Sequence, residues 1–173
     1  MSQQIVWRNP HATAGFVLLN SAVAERLLTY RQVETGSKEA GGILLGFRRG
    51  PHLEITDLTT PLRRDVRKRV FFDRRDPGHE RYALKQWKDS NKMIDYVGEW
   101  HSHPEAVSEP SAFDMKEWRA LLRSHRPILL FLVVGIVRIW AGVGASSGIR
   151  ACTICDDSVA CADISGSQRI EIP

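Results

Sequence analysis

Apolar and polar positions follow two rhythms along this chain, one of period two and one near 3.6. Residues 16–19, Phe-Val-Leu-Leu, form a short apolar run that reads as a strand. Asn20 or Ser21 can cap a helix over 22–33, with Val23, Leu27, Leu28 and Tyr30 on its apolar side. A glycine-broken turn then leads into an apolar strand at 42–47, a turn at 48–51 and a second strand at 53–60, which together predict a hairpin. Helical spacing returns at 77–90, with Tyr82, Leu84 and Trp87 among its apolar residues, and a strand follows at 93–103. Beyond a proline-bounded loop at 104–110, a helix over 111–125 is expected to bury Phe113, Trp118, Leu121 and Leu122, and Pro127 ends it. Residues 128–134 are a continuous apolar strand, and another strand continues after Gly135.

The sum is an α/β domain with a central sheet whose apolar strands need helices over at least one face. Past Gly142 the residues become small and polar with little period. The chain is therefore divided into a domain over 1–142 and a weakly structured tail over 143–173 that holds all three cysteines. A chain of 173 residues suits one domain of this kind without staples. No basic stretch followed by an apolar run opens the sequence, and the ten apolar residues 128–137 are too few to span a bilayer as a helix. A cytoplasmic protein with no membrane partner is the expectation.

The stretch from Glu99 to Asp114, EWHSHPEAVSEPSAFD, carries the candidate chemistry. Side chains alternate along a strand, so His101 and His103 point the same way, about 6.6 Å apart along the chain. Two imidazoles so placed can converge on one ion, and a divalent zinc needs at least one more protein ligand. Asp114, beyond the loop, is the best third ligand. Ser111 lies three residues before it, on the same side of a first helical turn. Ser-x-x-Asp is also close to a plain capping box with Ser111 as the N-cap. Strand geometry nominates Glu99 as a general base because it shares a face with both histidines. Glu105 and Glu109 in the loop are alternatives that alternation cannot separate.

His101-Ser102-His103, seven residues, then Ser111-Ala112-Phe113-Asp114 resembles the H-[S/T]-H-x7-S-x-x-D signature of the JAMM/MPN metalloproteases. Upstream, Glu39-Ala40-Gly41-Gly42-Ile43-Leu44-Leu45-Gly46 resembles that family's E-x-x-G-x-L-x-G segment. The resemblance covers about residues 14–142. It implies an MPN/JAMM, cytidine-deaminase-like fold with a central mixed sheet flanked by helices. It also implies that His101, His103 and Asp114 bind one Zn2+, that Glu39 is the general base, and that Ser111 donates to the tetrahedral oxyanion. Glu99 is thereby demoted to a partner of a histidine's outer nitrogen or to a surface ion pair. The wording around the histidines is similar to stand-alone bacterial deconjugases of CBASS anti-phage systems. The implied activity is that of an isopeptidase or peptidase acting after a ubiquitin-like moiety, or on the conjugated C-terminal tail of a CBASS nucleotide cyclase. A catalytically silent MPN scaffold is the rival of a different class, and processing of a sulfur-carrier precursor is a related alternative.

Charge changes this picture little. The formal balance is +4, and seven of the fifteen residues 61–75 are basic. Arg63, Arg64, Arg67, Lys68 and Arg69 could steer an acidic partner, or the run could be a solvated connection between a strand and a helix. It has no aromatic interleaving, which argues against nucleic acid. Phe71 and Phe72 read as a buried anchor or a docking point. Cys152, Cys155 and Cys161 fall short of a four-ligand soft-metal set and read as reduced thiols in a loose tail.

Overall fold

Why residues 128–134 are apolar without alternation is answered by their place in the sheet. A computed structural model of the chain describes residues 4–124, 127–155 and 158–161. Its strands are β1 (Ile5–Arg8), β2 (Phe16–Leu19), β3 (Gly41–Arg49), β4 (His52–Leu58), β5 (Val66–Lys68), β6 (Phe71–Asp73), β7 (Ile94–Ser102), β8 (Leu129–Val134), β9 (Ile139–Ala145), β10 (Gly148–Cys155) and β11 (Ser158–Cys161). Its helices are α1 (Ser21–Leu28), α2 (Gly78–Asp89) and α3 (Ala112–Ser124). Nine strands form one sheet in the order β1-β2-β4-β3-β7-β8-β9-β10-β11, and β5 and β6 pair separately. The β2–β4 and β7–β8 pairs are parallel and the others antiparallel, so the sheet is mixed. The α/β class, with a central mixed sheet flanked by helices, is as the resemblance implied.

β8 lies inside this sheet with both faces covered. Leu130, Leu132 and Val134 join a core with Val23, Ala24 and Leu27 of α1, and Leu129, Phe131 and Val133 join Trp118 and Leu122 of α3 on the opposite face. A strand buried on both sides has no polar face to alternate. The edge strands β1 and β11 approach one another, and His11 Nε2 sits 2.9 Å from Val143 O, so the sheet is curled.

In β7 the register against β3 slips by one residue. Leu44 faces Gly98 and Leu45 faces Tyr96, which leaves Val97 as a bulge. A Cβ on Gly98 would lie 1.8 Å from Leu130 O, so only glycine fits this close approach. The bulge resets the alternation, so that Val97 and Trp100 both enter the α1-side core. His101 is left on the α3 side, its ring 5.6 Å from that of Trp118.

Several expectations need correction. α1 ends at Leu28, and Asn20 rather than Ser21 caps it by accepting from Ala22 N. β1, a four-residue strand, was not anticipated. Phe113 is 61% exposed because the first turn of α3 overhangs the core. Along α2 only His79 is buried, while Tyr82 and Leu84 face outward. The boundary drawn at 142 falls inside β9, and β10 pairs with β9 from Gly148 to Ile154. Cys152 and Ile154 enter the core, so the small polar segment is one more sheet strand of half-apolar alternation. Cys152 is disulfide-bonded rather than a reduced thiol. The side chains of Cys155 and Cys161, and all of 162–173, lie outside the described residues. Among the described residues no helix is long and apolar enough to cross a membrane.

Candidate metal centre

Strand alternation brings the two histidines together. β7 stays paired with β8 as far as Ser102, opposite Val134, and His103 N donates to Val134 O at 3.0 Å, so the chain stays extended through both histidines. Their Nε2 atoms face one another at 3.0 Å. The Trp118 ring, 5.6 Å from that of His101, closes the α3 side. The first turn of α3 delivers Asp114, whose Oδ2 lies 3.5 Å from His101 Nε2 and 3.6 Å from His103 Nε2.

Ser111 supplies the aim. Its N and Oγ both donate to Asp114 Oδ2 at 2.6 Å, and Asp114 N donates back to Ser111 Oγ at 3.1 Å. This is a reciprocal cap of α3. The capping reading of Ser-x-x-Asp and the ligand reading therefore coexist, since the cap points the carboxylate at the imidazoles.

Glu39 reaches the same place from far upstream in the sequence. β3 runs antiparallel to β7 with Gly41 opposite His101. One step on, Ser102 N donates to Ala40 O at 2.7 Å and Ser102 Oγ accepts from Ala40 N at 2.9 Å. A further step sets Glu39 against His103, with Oε1 3.9 Å from Nε2. Glu39 is 5% exposed. Its main chain is held by the β5–β6 hairpin, with Glu39 N donating to Lys68 O at 2.8 Å and Arg67 Nε donating to Glu39 O at 2.7 Å. Gly41 keeps the hairpin close, because a Cβ there would lie 2.5 Å from the Phe72 ring.

The other carboxylates point elsewhere. Glu99 pairs with Arg74 at 2.6 Å. Glu105 faces the outer side of His103, with Oε2 3.7 Å from Nδ1, and the Glu109 main chain bonds the same ring.

Electrostatics follow from this crowding. Burial pushes the Glu39 carboxyl up to about 8, helped by the negative charges of Asp114 and Glu105. Burial acts the same way on Asp114, but hydrogen bonds from His101 and Ser111 and the His101 charge outweigh it and hold Asp114 well below the usual carboxylate range. Burial and the neighbouring His101 lower the pKa of His103, which keeps its lone pair available for a cation.

The fit to an ion is good. One ligand atom from each of His101, His103 and Asp114 lies within 4.8 Å of the others. Ligand atoms at bonds of about 2.1 Å in a tetrahedron stand roughly 3.4 Å apart. The spacings here are 3.0, 3.5 and 3.6 Å. Two imidazoles and a carboxylate suit a first-row divalent ion.

Four arginines of the basic run are engaged within the fold. Arg67 also donates to Lys38 O, Arg69 to Thr35 O, Arg74 pairs with Glu99 and Arg75 with Asp73. Arg67 and Arg69 fasten the hairpin to the segment that ends at Glu39, Arg74 ties it to β7, and Arg75 pairs within it. The roles of Arg67 and Arg74 were missed because the charge density hid the strand pair Val66–Lys68 and Phe71–Asp73 around a two-residue turn. That spacing was the available signal.

Comparison with known proteins adds independent findings. Residues 21–151 match the family described as prokaryotic homologs of the JAB domain. A CD-NTase/cGAS isopeptidase of Escherichia coli (strain TW11681) is 39% identical over 134 residues, spanning 78% of this chain and 85% of the relative. A CD-NTase/cGAS isopeptidase of Vibrio cholerae serotype O1 is 39% identical over 126 residues, spanning 73% of this chain and 80% of the relative. The solution structure of a protein from Desulfitobacterium hafniense superposes with a TM-score of 0.54 at 23% identity, covering 77% of this chain and 87% of that one, a likeness of fold.

Proposed function

We propose that this chain, which belongs to the prokaryotic JAB-domain family of JAMM/MPN proteins, is a zinc-dependent isopeptidase that releases a conjugate from the C-terminal tail of a CBASS nucleotide cyclase. The observation that carries the reading is the convergence of a buried carboxylate, Glu39, with two histidines and Asp114. Support for the substrate comes from the relatives, whose name specifies a CD-NTase isopeptidase.

A bound zinc ion would be held by His101, His103 and Asp114 and would supply Lewis acidity toward a carbonyl oxygen and toward water. Glu39 does the proton work. It takes a proton from the attacking water and returns it to the departing amine as the amide C–N bond breaks. Burial raises its basicity, and a dication beside it would oppose the push from Asp114 and Glu105 and favour the ionised form that accepts the proton. Ser111 Oγ, at the helix cap, would turn its one proton from Asp114 Oδ2 to the negative charge that develops on the carbonyl oxygen, while Ser111 N keeps its bond to Asp114. A silent scaffold needs none of these groups to converge, and their convergence favours the enzyme.

The test is release of a reporter joined to the C-terminal carboxyl of a CD-NTase through a lysine side chain. Intact mass should show the cyclase with its free C-terminus restored. Chelation should abolish release and added Zn2+ should recover it. Cleavage that survives chelation, or cleavage inside the reporter, would overturn the reading.

A further inference from the structure

Gln32, just beyond α1, is 3% exposed and neither a ligand nor an acid. Its amide is nonetheless fully engaged. Nε2 donates to Arg69 O at 2.9 Å and to Ser37 O at 3.2 Å, and Oε1 accepts from Ser102 Oγ at 3.2 Å. Ser102 Oγ in turn accepts from Ala40 N. Each partner adjoins a piece of the site. Ser102 separates His101 from His103, Ala40 follows Glu39, Ser37 lies in the turn that leads to it, and Arg69 sits at the tip of the β5–β6 hairpin.

The hairpin closes the circuit, because both main-chain polar groups of Glu39 are bonded to it through Lys68 O and Arg67 Nε. Glu39 is thus held from two sides, and both supports pass through one glutamine. An amide is the right group for this junction. It offers two donors to two carbonyls and an acceptor to a hydroxyl, and carries no charge to desolvate. Buried hydrogen-bonded chains of this kind are stiff, and their polar atoms are costly to strand.

We propose that Gln32 is a positioning residue that fixes the Glu39 segment against the His101–His103 strand and so sets the reach of the Glu39 carboxylate. This rests on the reading of Glu39 as the base. Gln32→Met keeps side-chain length and apolar bulk and removes all three bonds. Arg67→Lys, at a half-buried position on the opposite support, keeps the charge and loses the fork, and it serves as the second variant should Gln32→Met fold poorly.

Two readouts test the proposal. In metal-free protein, amide hydrogen exchange at Glu39 and Ala40 should speed up at least tenfold in Gln32→Met, while Leu130 and Leu132 of β8 keep their protection. In the zinc-loaded enzyme, kcat should fall at least tenfold with KM within twofold of wild type and one zinc still bound, since misplacing a general base forfeits part of the roughly 10²–10⁴-fold it contributes. Arg67→Lys should shift both readouts in the same direction. Unchanged exchange at Glu39 and Ala40, a kcat within twofold of wild type, or loss of zinc along with kcat would each overturn the proposal. A wild-type protein that binds zinc but cleaves nothing would defeat the functional reading alone, and the exchange comparison would still decide the role of Gln32.

Discussion

At the residue scale the site is a problem of where protons sit. Glu39 takes up its proton near pH 8 in the metal-free fold, against an ordinary 4.5. Between those two values the folded chain holds a proton that the unfolded chain has released, so stability falls as pH rises through the window. Below it, both states are protonated and the full contribution is present. The melting temperature of metal-free protein should therefore decline from pH 4.5 to pH 8, and Glu39→Gln should flatten that decline. Equal slopes in the two proteins would refute the shift. Asp114 is displaced the opposite way, so its contribution is lost only as pH falls below the usual carboxylate range. Alternation alone was enough to read His101 and His103 on one face. It also put Glu99 on that face, which is correct, but could not foresee that Arg74 occupies its carboxylate. Glu39 was legible only through the resemblance of its segment to a family motif, because what sets it beside His103 is the continuation of the β3–β7 register past Gly41 and His101, which no periodicity reveals.

At the element scale two pieces carry more than their own stability. The cap of α3 both starts a helix and aims the Asp114 carboxylate at the imidazoles. Ser111→Ala should cost about 1 kcal/mol as a lost cap, whereas Ser111→Gly should cost only a few tenths. Both should lower kcat by a similar factor of about 10² if the hydroxyl serves the oxyanion. Denaturant titration beside turnover separates the two duties, and recovery of kcat in the glycine variant would remove the catalytic one. The β5–β6 hairpin is the second piece. Gly41→Ala would drive a Cβ to within 2.5 Å of the Phe72 ring and 2.8 Å of Trp100 O. Overpacking of that sort costs typically 1–3 kcal/mol. Urea midpoints should drop accordingly, and the hairpin should lift from Glu39, lowering kcat as well. The hairpin escaped the sequence reading because five arginines and a lysine within 64–75 look like a solvated face, although several of those guanidiniums bond carbonyls and carboxylates of the fold.

At the scale of the whole molecule, the long apolar run of β8 already implied a sheet covered on both sides, and α1 and α3 provide the covers. The extent of that sheet was not legible. Small residues of β9 and β10, among them Ala141, Gly142, Gly144 and Ala151, give little hydrophobic signal, yet the two strands pair through seven residue positions from Gly148 to Ile154. Removing residues 147–173 should accordingly strip one edge of β9 and uncover Ala141 and Val143. A broad or absent thermal transition is expected, while an unchanged, cooperative melt would mean that β10 is dispensable. The same whole-molecule assembly brings Glu39 from the approach to β3, the histidines from the end of β7 and Asp114 from α3 into a single site. The most direct test of that assembly is zinc stoichiometry measured beside turnover in Glu39→Ala. One zinc per chain with turnover lost is the predicted result, because the role proposed for Glu39 is to move protons and not to hold the ion. Turnover equal to wild type, or zinc lost with the glutamate, would contradict it.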